Sequence, residues 1–163
     1  MLRSRPIPEF RRATDDDCHA VADVYLRSRK DLMPGVPLAH SDEAVREWIR
    51  GHLIPSGRTT VAIVDDQVVG FLAVSMDAEG GWIDQLYVRP TWVGRGIGTT
   101  LLDLARRQLS PPIRLYTFQI NQRARRFYER RGFRAIAFGD GSGNEEKVPD
   151  VLYEWSDGGE RRC

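Results

Sequence analysis

"PTWVGRGIGTTLLDLARRQL", residues 90–109, places Gly94, Gly96 and Gly98 at alternate positions directly before an amphipathic helical pattern. Apolar residues at Ile97, Leu101, Leu104 and Ala105 follow the spacing of one helix face and predict a helix from Gly96 to about Leu109. A helix start carries unsatisfied N–H groups and partial positive charge, so it suits an anion. Glycine lets the backbone turn tightly and approach a phosphate with no Cβ in the way. The same glycines also suit a plain strand-to-helix turn. Two well-known phosphate patterns are excluded. No Gly-Lys-Ser/Thr follows, and Leu101 stands where G-x-G-x-x-G requires a third glycine.

Working outward, "TTVAIVDDQVVGFLAVSM" (59–76) reads as two β-branched runs around an Asp65-Asp66 turn, a hairpin. A third strand, "WIDQLYV" (82–88), ends at Pro90, and "IRLYTFQI" (113–120) follows the glycine-led helix. The distance from Trp82 to Ile120 fits a βαβ crossover, which makes these two strands parallel. "NQRARRFYERRGF" (121–133) predicts a short helix from Asn121 with Gly132 as its stop, before two closing strands, "RAIAFG" (134–139) and "DVLYEW" (150–155). Upstream, Thr14 caps a helix over Asp15–Leu32 with Val21, Val24 and Tyr25 inward, and Ser41 caps a second with Val45, Trp48 and Ile49 on one face. The order predicts a mixed sheet with helices on both faces.

At 163 residues and 41% hydrophobic content, one domain over residues 1–163 is expected. The net charge of +1 argues against nucleic acid or an anionic membrane as partner. From Arg106 to Arg134, however, nine arginines face a single acid, Glu129, which suits either an anion site or a solvated basic surface. Cys18 and Cys163 have no paired spacing, which suggests free thiols and a cytoplasmic protein. His19, His40 and His52 share no ligand spacing, so no metal is expected. The start "MLRSRPIPEF" lacks the apolar core of a secretory leader, and no run approaches the length of a membrane span.

"LYVRPTWVGRGIGTTLL" resembles the acyl-CoA-binding segment of the GNAT superfamily of N-acetyltransferases, a strand ending in V-x-P and then Q/R-x-x-G-x-G/A opening a helix. Val93, Gly94, Arg95, Gly96, Ile97 and Gly98 fill that hexad, with Val93 in place of the usual Gln or Arg. "NQRARRFYERRGF" is similar to the family's N-x-x-A-x-x-x-Y-x-x-x-G-F through Asn121, Ala124, Tyr128, Gly132 and Phe133. The resemblance covers about residues 59–155. It implies an α+β fold with a mostly antiparallel sheet of six or seven strands and a splayed parallel pair.

The resemblance also implies acetyl-CoA as co-substrate and a primary amine, small or peptidic, as acceptor, with a homodimer common in look-alikes. Main-chain groups of Leu86, Tyr87 and Val88 would pair with pantetheine, and residues from Val93 to Thr99 would hold the pyrophosphate. Asn121 and Arg125 would also contact the cofactor. Tyr128 is the implied general acid; without the motif it reads as a core aromatic. Asp84 is the candidate base, against an exposed strand carboxylate or a water chain. Glu145, Glu146 and Asp150 either attract a cationic amine or form a solvated acidic loop. A catalytically idle acyl-CoA sensor on the same fold and a nucleic-acid binder are the competing readings.

Overall fold

The computed structural model describes residues 5–156. Its seven strands form one sheet: β1 (Glu9–Arg12), β2 (Thr59–Val64), β3 (Gln67–Asp77), β4 (Gly80–Val88), β5 (Ile113–Phe118), β6 (Arg134–Gly139) and β7 (Asp150–Trp155), in the order β1-β2-β3-β4-β5-β7-β6. Every neighbouring pair is antiparallel except β4 and β5. The helices are α1 (Cys18–Leu32), α2 (Asp42–Trp48), α3 (Ile97–Gln108) and α4 (Gln122–Glu129).

The β2–β3 hairpin turns at Asp65 and Asp66, both at positive φ (49° and 62°), the backbone of a tight turn matched to strand twist. The buried residues fall into two clusters, one on each sheet face. Val21, Val24, Ile49, Phe71 and Val61 join α1 and α2 to one face; Ile97, Leu101, Leu102, Tyr128, Leu72 and Tyr153 join α3 and α4 to the other.

Several expectations shift locally. Strand β1 was not expected; Phe10 is its one large apolar residue, and pairing of Phe10 with Ala62 on β2 builds it. The first helix opens as a 3-10 turn at Asp15–Asp17 before α1 begins. On α3, Leu102 is fully buried while Leu104 is only partly covered, and Trp48 stays 40% exposed although Val45 and Ile49 are buried. Strand β5 stops at Phe118, so Gln119 and Ile120 belong to the turn before α4.

Asp17 ties β1 to the start of α1. It is 6% exposed and accepts hydrogen bonds from Arg11 at 2.8 and 3.1 Å and from the Thr14 amide at 2.7 Å. The Arg11 hydrogen bond, above all, holds its carboxyl below the ordinary aspartate range. A depressed folded-state pKa stabilises the fold above the ordinary value of about 3.9, and that contribution is lost as pH falls through the lower folded value. Asp17→Asn is therefore expected to cost about 1–3 kcal/mol near neutral pH. In urea titrations the variant and parent should converge in acid; an unchanged gap at low pH would remove Arg11 as the cause.

Candidate active site

Strands β4 and β5 pair only through Gly81 with Ile113 and Trp82 with Arg114, and then separate. Beyond that point the β5-facing edge of β4 has no strand partner among the described residues. On its other edge β4 stays paired with β3, but the register passes from Val74–Ile83 to Ala73–Gln85 and leaves Asp84 as a bulge. Bulges bend a strand and re-aim side chains, and they recur beside active sites.

The gap opens into two cavities. One, of about 540 Å³, is lined by Leu86, Tyr87 and Val88 of β4, by Val93, Gly94, Gly96, Gly98 and Thr99, and by Asn121 and Tyr128. The other, of about 630 Å³, is lined by Tyr25 and Arg29 of α1, by Asp84, and by Glu146 in the β6–β7 loop. Tyr87 borders both.

Gly94 (φ 81°) and Gly96 (φ 88°) sit in the left-handed region at the first cavity, with nothing within 4 Å of where a Cβ would stand. Glycine at both positions lets the chain turn into α3 while leaving the backbone bare. Among the described residues, no amide from Val93 to Thr99 has a hydrogen-bond acceptor; the first bond of the helix is Thr100 N–H to Gly96 C=O at 3.1 Å. Such a run of free donors at a helix start is an anion cradle.

Arg123, Arg126, Arg130 and Arg131 line the same cavity. Arg131 is fixed by a 2.8 Å bond to the Thr99 hydroxyl and lies over the Phe127 ring at 3.9 Å. Arg125 does not line it. Helical spacing puts Arg123, Arg126 and Arg130 on one face, and Arg125 instead donates to the Tyr153 hydroxyl at 3.1 Å and lies over Phe138. Arg95 lies over the Trp92 ring at 4.5 Å, outside the lining, and the Ile97 side chain is in the core, so Ile97 offers only its amide. The Asn121 side chain is already engaged, capping α4 at the Ala124 amide (3.2 Å) and donating to Met33 Sδ at 3.1 Å.

Tyr128 is 7% exposed, packed edge-on against Phe127 and Phe133, yet still borders the cavity beside Leu86 and Val88. Its hydroxyl has no hydrogen-bond partner among the described residues. Burial pushes its pKa well above the ordinary phenol value, so the group stays protonated through neutral pH. Asp84 is exposed to the second cavity, but desolvation raises its carboxyl above the usual range, with Ser75 and Arg58 opposing. Glu146 lines this cavity; Glu145 does not, and pairs with His40 at 2.6 Å, linking the α1–α2 and β6–β7 loops. No group of three or more metal-ligating side chains occurs among the described residues. No described helix is long and apolar enough to cross a membrane.

The model of the acetyltransferase (GNAT) family matches residues 18–133. The chain belongs to the GNAT acetyltransferase family. Among its GNAT relatives, the peptidyl-lysine N-acetyltransferase YiaC of Escherichia coli is 25% identical over 148 residues, covering 90% of this chain and 95% of YiaC. An uncharacterized N-acetyltransferase of Archaeoglobus fulgidus is 30% identical over 149 residues, covering 84% of this chain and 99% of its own. The PaiA N-acetyltransferase of Thermoplasma acidophilum, solved in complex with coenzyme A, shares the GNAT fold at a TM-score of 0.72 and 22% identity, over 92% of this chain and 99% of that one.

Alanine at both Gly94 and Gly96 would force two side-chain-bearing residues into the left-handed region, at roughly 1–2 kcal/mol each. The double variant is expected to weaken coenzyme A binding by about one to two orders of magnitude. The same strain should lower its melting temperature by several degrees, with the fold kept because both sites are exposed and nothing stands where the added Cβ atoms would be. Calorimetric titration checks this; parent-like affinity would mean the left-handed turn is dispensable for the ligand.

Proposed function

We propose that the protein transfers the acetyl group of acetyl-CoA to a primary amine by direct attack in a ternary complex. The observation that carries this is the meeting of two cavities at the β4–β5 gap, one ending in a run of free amides and the other holding carboxylates. Diphosphate would sit on the amides of Val93–Thr99, with Arg126, Arg130 and Arg131 close to the remaining phosphate charge. Pantetheine would run along the open edge of β4 at Leu86–Val88, bringing the thioester to Tyr128.

The amine enters through the second cavity. Asp84 first takes one proton from the ammonium, and the freed nitrogen then forms a bond to the thioester carbonyl carbon. A main-chain N–H of β4 stabilises the developing oxyanion. As the C–S bond breaks, Tyr128 protonates the departing thiolate and the second proton shed by the nitrogen restores the phenol, leaving an N-acetyl amine and free coenzyme A. No covalent acyl-enzyme is needed, and Cys18 lies in neither cavity lining.

The test is a thiol-release screen of acetyl-CoA against amines, including a lysine peptide, since the E. coli relative is a peptidyl-lysine enzyme. Amine-dependent thiol release with an acetylated product is expected. Tight acetyl-CoA binding without turnover on any amine would favour the idle acyl-CoA-sensor reading.

A further inference from the structure

Arg29 stands out among the residues around the second cavity. It lies in the last turn of α1, is only 3% exposed, and lines the cavity beside Tyr25 and Glu146. A guanidinium carries five N–H donors, and a buried charge is costly unless those donors and the charge are matched. Here the matching is incomplete. Nη1 donates to the Tyr25 hydroxyl at 3.0 Å and Nη2 to the Pro37 carbonyl at 3.4 Å. Glu146 forms an ion pair with it at 3.6 Å, too long for a hydrogen bond. Nε is buried with no partner among the described residues. The Tyr25 and Phe118 rings flank the cation at 5.8 and 5.5 Å.

Opposite charge lines the same cavity. Asp84, Asp140, Asp150 and Glu146 are all in its wall. Asp140 and Asp150 are partly occupied by local bonds to the Ser142 amide and the Asn144 side chain, and Glu146 is held in the long ion pair with Arg29, which leaves Asp84 as the freest acid. Tyr116 and Phe138, 60% and 62% exposed, add apolar surface to the same wall. A volume near 630 Å³ falls within the usual range for a small-molecule site.

We propose that the acceptor is a small molecule carrying both an amine and a carboxylate, an amino acid with an apolar or aromatic side chain, and that Arg29 is its carboxylate anchor. This rests on reading the second cavity as the acceptor site. A ligand carboxylate supplies the close, charge-assisted hydrogen bonds that the guanidinium lacks, since its ion pair with Glu146 is too long to make one. Its ammonium group faces Asp84 and Glu146, so the cavity is complementary to a zwitterion. The chemistry is the transfer above: the ammonium gives one proton to Asp84, the α-nitrogen bonds to the acetyl carbon as the C–S bond breaks, its second proton replaces the one Tyr128 gives the thiolate, and the product is an N-acetyl amino acid plus coenzyme A.

Initial rates of thiol release with L-phenylalanine, L-phenylalaninamide, phenethylamine and a lysine peptide test this. The amino acid is expected to exceed the amide and the decarboxylated amine in kcat/KM by roughly 10- to 100-fold, mostly through KM. In Arg29→Met that preference should collapse while acetyl-CoA affinity is unchanged, and Arg29→Lys should retain part of it. If Arg29→Met does not fold, inhibition of the parent protein gives the same reading. In that assay 3-phenylpropionate should compete with the amine, whereas 3-phenylpropanol should not. Equal use of all three phenyl compounds, transfer to the lysine peptide alone, or a preference that survives Arg29→Met would overturn the assignment and leave the acetyltransferase reading standing. No transfer to any amine would overturn both.

Discussion

Tyr128→Phe is expected to lower kcat by roughly 10²–10⁴-fold, with the acetyl-CoA dissociation constant held within about threefold. The substitution removes one oxygen from a ring whose packing against Phe127, Phe133 and Tyr153 is otherwise kept. Folding should survive, because the hydroxyl makes no bond among the described residues that its loss would orphan. The burial that raises the phenol pKa keeps it a neutral donor at the pH of the reaction. What is lost is a proton for the thiolate, whose conjugate acid has an ordinary pKa of about 8.5. Because a thiolate leaves less readily when no donor meets it, the loss falls on the chemical step. Parent-like kcat would return Tyr128 to the role of a core aromatic.

The second large effect is expected at Asp84. An alkyl ammonium group with a pKa near 10.4 is almost fully protonated at neutral pH and cannot attack until it loses that proton. With Asp84 as the base, Asp84→Asn should depress kcat/KM by about 10²–10⁴-fold well below the pKa of the amine. The deficit should shrink as pH rises toward that pKa, because free amine needs no base. Desolvation raises the Asp84 carboxyl, which makes it a better proton acceptor once ionised. A pH–rate profile for parent and variant decides the matter. Parallel profiles with no deficit would hand the role to a chain of water molecules.

The parts of this protein that were legible in the sequence are those whose chemistry is local. The hexad from Val93 to Gly98 is a backbone device, so its residue types report its geometry directly, and the positive φ at Gly94 and Gly96 is what alternate glycines before a helix imply. The parallel β4–β5 pair followed from crossover length and handedness. Strand β1 was not legible, because four residues with one large apolar side chain become a strand only through the partner edge of β2. Arg125 lies outside the cavity lining for a rotational reason: in an arginine-dense helix of eight residues, one step of register decides which guanidinium faces the cavity.

Arg29 was hidden more deeply. In the run "LRSRKDL" it reads as one more solvated cation at a helix end, where basic residues suit the dipole. Its burial arises from long-range contacts, with Pro37 in the following loop and Glu146 more than a hundred residues away. Tyr87 was assigned for its backbone alone, and its position between the two cavities depends on the splay.

The proposed transfer needs the free amides from Val93 to Thr99 to hold the diphosphate of coenzyme A. Amide NMR of the labelled protein during titration with coenzyme A tests it most directly. Saturable one-to-one binding is expected, in which the resonances of Gly94, Gly96, Ile97 and Gly98 shift together, with pantetheine, which lacks the diphosphate, leaving them nearly unmoved. Binding that leaves those four resonances in place, or no binding at all, would contradict it.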